Sequence, residues 1–120
     1  MTGARFITAA ELERRMQQVE NGGCILLDIR SPAEFRSGHI RHAVSMPVEE
    51  LEKRSDELVD GKELVIYCRS GRRCLLVLPL LAQKGLREVL VLEGGLERWP
   101  GILVIERSPG TENDVRTVQQ

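Results

Sequence analysis

One cysteine of this chain stands among arginines. In the stretch Glu63 to Gln83, ELVIYCRSGRRCLLVLPLLAQ, Cys68 is followed by Arg69, Ser70, Gly71, Arg72 and Arg73, with no acidic residue before Cys74. Leu64 to Tyr67 reads as a buried strand, Cys68 to Arg73 as a six-residue loop, and the remainder as a long apolar helix. A tight loop feeding a helix turns N–H groups inward, and the positive end of the helix dipole stands behind them. The arginines add full charges, and Gly71 can take a positive φ or allow close backbone approach. Such surroundings lower a thiol pKa, so Cys68 is the candidate nucleophile, in its thiolate form. Arg69, Ser70, Gly71, Arg72 and Arg73 are the candidate anion-binding loop.

The elements that must position this loop follow from pattern. Phe6 and Ile7 begin a short strand, and Thr8 to Glu11 form a capping box with Ile7 and Leu12 placed as a hydrophobic staple. Leu12, Met16 and Val19 recur on one helical face until Gly22 and Gly23 stop it. Cys24 to Ile29 is almost continuously apolar, as a central parallel strand covered on both faces would be, with Asp28 near its end. Ser31 to Glu34 is a second capping box with proline at the first helical position, and that helix ends by Gly38.

His39 to His42 reads as a loop, Val44 to Met46 as a brief strand, and Pro47 opens a helix carrying Val48, Leu51 and Leu58. Asp60 and Gly61 turn the chain into the central strand. After the apolar helix ends at Gly85, Val89 to Leu92 is a strand, and Leu96 to Trp99 is one helical turn closed by Pro100 and Gly101. Ile102 to Ile105 is either an edge strand or a cover for the core. The expected organisation is one domain over residues 1–106 and a polar, mobile tail over 107–120. Strands alternating with helices through short loops give an open α/β fold, mostly parallel, with helices on both faces. Ligands of such sheets bind beyond the carboxyl ends of the strands, where Cys68, Asp28 with Arg30, and Glu93 with Gly94 all fall.

Bulk composition limits the partners. Seventeen basic against eighteen acidic residues leave a net charge of -1, which gives no footprint for nucleic acid or an anionic membrane. Four aromatic residues are too few for base-stacking platforms. The longest apolar run, Cys74 to Ala82, is well short of the ~20 residues needed to span a bilayer. Three cysteines with no even framework, and an N-terminus without an apolar run, lead to the expectation of a reducing cytoplasm.

The order and spacing of LLDIR (Leu26 to Arg30), EF-x-x-GHI (Glu34 to Ile40), Ala43, Pro47, CRSGRR (Cys68 to Arg73) and LEGGLERW (Leu92 to Trp99) resemble a single-domain rhodanese, from Ile7 to Trp99. The resemblance implies a five-stranded parallel sheet and a sulfurtransferase that carries a persulfide on Cys68. Thiosulfate or a persulfide would donate the sulfur, and cyanide or a thiol would accept it. Backbone N–H groups of Arg69 to Arg73 would hold the persulfide, with no metal or organic cofactor. Asp28 and Arg30 would fix loops beneath the crevice, and His39 would brace a loop or line substrate entry. The chain departs from the family at Arg41 and His42, where Pro and Gly are frequent, at Pro79 inside the apolar helix, and at Pro100.

Alternatives stand beside this reading. One is a sulfur-carrier or regulatory interaction module that exchanges sulfur with a donor or acceptor protein and turns over little free thiosulfate. Another is a redox protein in which Cys74 resolves Cys68, although Cys74 reads first as a small residue packing the first helical turn. A phosphatase-like anion enzyme is a lesser alternative: phosphatases using a cysteine loop place arginine six positions on, where this chain has Cys74, with Arg73 one position short. The helix from Leu75 to Leu81 is apolar almost all round, so the chain is expected to be a monomer or a weak homodimer through that helix.

Overall fold

The computed structural model describes residues 5–58, 62–86, 88–106 and 115–119. Five parallel strands form the central sheet: β1 (Arg5–Ile7), β2 (Cys24–Asp28), β4 (Val44–Ser45), β5 (Glu63–Tyr67) and β6 (Val89–Leu92), in the order β1-β6-β5-β2-β4. The helices are α1 (Ala9–Asn21), α2 (Pro32–Ser37), α3 (Val48–Arg54) and α4 (Arg72–Gln83), with 3₁₀ turns at Ser55–Leu58 and Gly95–Arg98. The expected open parallel α/β architecture is the observed one.

Side-chain alternation divides the core into two layers. On β5, Leu64 and Ile66 join Leu51 of α3 and Val77 and Leu81 of α4 on one face, whereas Val65 and Tyr67 join Leu12 and Val19 of α1 on the other. Cys68 continues the α3/α4 layer. Both capping boxes form: Glu11 accepts from the Thr8 N–H at 2.9 Å, and Glu34 from the Ser31 N–H at 3.0 Å. Gly22 ends α1 at φ 87°. Asp60 and Gly61, read as a turn, lie outside the described residues.

Three readings change. His39–Ile40, expected as loop, is strand β3; of the two readings of Ile102 to Ile105 the strand is the observed one, β7 (Ile102–Glu106). Part of the tail expected to be mobile, Val115–Gln119, is strand β8. These make a second sheet, β3-β7-β8, antiparallel throughout. The reason is pairing at a distance: two residues of β3 are too few to show a period, but β7 supplies partners for their backbone. Because β7 belongs to this sheet, Leu75 and Leu76 on α4 remain exposed, by 45% and 79%. The third change is in the active loop. Gly71, at φ 106°, is already the N-cap of α4, so the loop is Cys68 to Gly71, and Arg72 and Arg73 form the first helical turn. His42 takes φ 68° where glycine would fit without strain.

Candidate active site

Cys68 leaves the carboxyl end of β5 and is wholly buried at the N-terminus of α4. The Gly71 N–H donates to its Sγ at 3.0 Å. The Cys68 pKa is lowered to about 5, first by the Cys74 thiol donating to it, then by the N–H groups of Cys74, Gly71 and Arg73, against the opposing effect of burial. The held species is therefore a thiolate near neutral pH. Cys74 is pushed strongly upward by that same interaction and by its own burial, so it stays a thiol and is a poor attacking group. Cys24, raised to about 11 by desolvation, lies in the core on the other layer.

The arginines do not form the bare cationic dish that the loop sequence suggests. Arg73 makes a two-pronged contact with Glu34 of α2, at 3.0 and 3.1 Å. That contact, together with the Ser31 cap, holds Glu34 down to about 2. Arg69 contacts Glu97 at 3.2 Å. Arg72 and Ser70 are exposed. The acids come from segments 39 and 28 residues away in sequence, so nothing within the loop announced them. Glu34 had a visible role as a cap, and its second role needed the fold.

Asp28, the last residue of β2, and Arg30 just past it form a buried pair: Arg30 donates to both Asp28 oxygens, at 2.6 to 3.1 Å, and to the Gly38 carbonyl at 2.6 Å. This ties the end of β2 to the end of α2. His39 stacks on Phe35 with ring centroids 3.7 Å apart, and its Nδ1 lies 2.8 Å from the Phe35 carbonyl oxygen, an arrangement that braces the α2–β3 junction. Tyr67, read only as core, accepts from the Ile40 N–H through its hydroxyl at 3.0 Å.

The stretch after β6 closes the loop from the other side. Leu96 N–H donates to the Cys68 carbonyl at 2.9 Å, and Glu97 N–H to the Arg69 carbonyl at 3.0 Å. Gly95, at φ 63°, is required by this approach, because a Cβ there would stand 2.5 Å from the Arg69 oxygen and 2.7 Å from the Cys68 oxygen. Trp99 follows, 5% exposed, its backbone N–H donating to the Leu96 carbonyl and its Nε1, beside Gly101, without a partner among the described residues. A cleft of about 300 Å³ opens here, lined by Arg30, Glu34, Ser37, Gly38, Arg69, Leu96, Glu97 and Leu103. Cys68 and His39 are not on its wall. The arrangement can hold a nucleophilic sulfur anion on Cys68, and the cleft walled by Arg69, its chain neighbour, and Leu96, its hydrogen-bond partner, carries two guanidiniums and two carboxylates.

A family model described as "Rhodanese-like domain" matches residues 8–101. A protein of Allochromatium vinosum named "Sulfurtransferase" is 37% identical over 93 residues, covering 78% of this chain and 85% of that one. YrkF of Bacillus subtilis, whose name describes a sulfur carrier, is 32% identical over 99 residues, covering 82% of this chain but 54% of its own length. The solution structure of a rhodanese-like domain from an Anabaena sp. protein superposes with a TM-score of 0.74 at 24% identity, over 98% of this chain and 94% of that one, which bears on the fold alone.

Proposed function

The chain belongs to the rhodanese-like domain family, and from that premise we propose that it is a sulfurtransferase working through a persulfide on Cys68. The observation that carries the reading is the Cys68 sulfur at the N-terminus of α4, with the Gly71 N–H 3.0 Å away and a pKa of about 5. A thiolate at neutral pH is the form that attacks a sulfane sulfur. With thiosulfate, the Cys68 Sγ bonds to the outer sulfur, the S–S bond of the donor breaks, and sulfite leaves with the electron pair. The persulfide then passes its outer sulfur to a thiol or to cyanide, and Cys68 returns as thiolate. The loop N–H groups offset the negative charge on the transferring sulfur, a task that needs no proton transfer.

A carrier role, in which a protein partner loads Cys68, is supported by the similarity to YrkF and by the burial of the thiol, which makes access depend on the loop opening. For both readings a reducing cytoplasm is the setting we propose, supported by three free buried cysteines. Intact mass decides. The protein, beside Cys68→Ser, is incubated with thiosulfate and then cyanide. The expected result is a gain of one sulfur atom that needs Cys68 and is lost as thiocyanate. A gain only from a desulfurase or polysulfide favours the carrier, and no gain from any donor overturns both.

A further inference from the structure

The cleft beside Cys68 is lined by two arginines, Arg30 and Arg69, and by two glutamates, Glu34 and Glu97, so its wall has no net charge. Three of the four guanidiniums around the loop are engaged by an acid: Arg30 by Asp28 at 2.6 Å, Arg69 by Glu97 at 3.2 Å, Arg73 by Glu34 at 3.0 Å. Arg72 is exposed, has no acid partner among the described residues, and does not line the cleft. Anion-holding capacity is thus concentrated in the N–H groups around Sγ, which serve the transferring sulfur alone. A donor head group placed in that cleft would meet carboxylates as well as guanidiniums.

We propose that Glu97 and Glu34 are specificity-determining residues that bias sulfur donation toward singly charged sulfane-sulfur donors, such as alkyl persulfides and alkanethiosulfonates, over the dianion thiosulfate. The proposal rests on the sulfurtransferase reading and names the donor class for that same site. With an alkyl persulfide the Cys68 Sγ bonds to the terminal sulfur, the donor S–S bond breaks, and the thiolate of the alkyl group leaves with the electron pair. With methanethiosulfonate the leaving group is methanesulfinate. In each case one S–S bond forms as one sulfur–sulfur bond breaks, and no oxidant is consumed. A cleft glutamate repels the head group in proportion to its charge, so its effect on the logarithm of the rate doubles from monoanion to dianion.

Methanethiosulfonate differs from thiosulfate by a methyl group in place of one charged oxygen, which makes the pair a clean probe. The measurement is the rate of sulfur loading on Cys68, by intact mass, for each donor in the wild type, in Glu97→Gln and in Glu88→Gln. Glu97 is exposed, and its backbone contacts survive the change. Glu88 precedes β6 at the opposite end of the sheet and removes the same charge far from the cleft. Glu97→Gln should speed loading about twofold with methanethiosulfonate and about fourfold with thiosulfate. Glu88→Gln should move neither by more than a small fraction of that. Equal gains with both donors, or equal effects of the two substitutions, would overturn the proposal while leaving sulfur transfer intact. No loading from either donor would overturn the sulfurtransferase reading itself, and the proposal with it.

Discussion

Cys68 owes its anionic state to short contacts. The Cys74 thiol and three N–H groups of the first α4 turn point at it, while Arg69 and Arg73 are occupied by Glu97 and Glu34. Of the causes expected from the loop sequence, backbone N–H groups and arginine charge, it is the N–H groups that act on the sulfur, joined by the Cys74 thiol. The rate of alkylation by iodoacetamide should therefore be flat at neutral pH and fall tenfold per unit of acid below a midpoint near 5, because only the thiolate reacts. Cys74→Ala removes one donor to the anion and should raise that midpoint by on the order of one unit, whereas Cys74→Ser, which keeps an O–H, should restore most of it. An unmoved midpoint in Cys74→Ala would show that the N–H groups suffice.

At the scale of elements, the loop is shaped by its neighbour after β6 as much as by its own helix. Gly95→Ala would force a methyl group against two carbonyl oxygens at a backbone angle unsuited to it. The expected cost is at least about 2 kcal/mol, read by thermal unfolding, together with a raised Cys68 midpoint as the Leu96 and Glu97 N–H contacts loosen. Much at this scale is local and was legible in the sequence. The Thr8 and Ser31 caps form where the S/T-x-x-E pattern places them, and the alternation of β5 shows which residues face which helix. What was not legible depends on elements meeting. Glu34 reaches Arg73 only because α2 packs beside the loop, and β3 becomes a strand only because β7 returns to it. Gly95 stands in the LEGGLERW stretch, but the carbonyls that demand it belong to residues 68 and 69.

For the molecule as a whole, the second sheet changes what the C-terminal residues mean. Leu103 of β7 lines the cleft, β7 holds β3 beside the Arg30–Gly38 contact, and β8 pairs along β7 over five residues. Deleting residues 107–120 would strip β7 of one hydrogen-bonding edge. The expected outcomes are a loss of about 1–2 kcal/mol in stability, seen as a lower Tm, and concentration-dependent association through the bared edge, seen by light scattering. A truncated chain as stable and monodisperse as the full one would mean that β8 contributes nothing in solution. Backbone hydrogen bonds, from the Leu96 N–H to the Cys68 carbonyl and from the Trp99 N–H to the Leu96 carbonyl, link the sulfur-bearing loop to the residue that carries the chain's single indole. That indole is only 5% exposed and its ring nitrogen has no partner among the described residues, so its emission should redden as more water reaches it. The protein thus carries a label-free optical gauge, sensitive to whether the loop over its sulfur is shut or open.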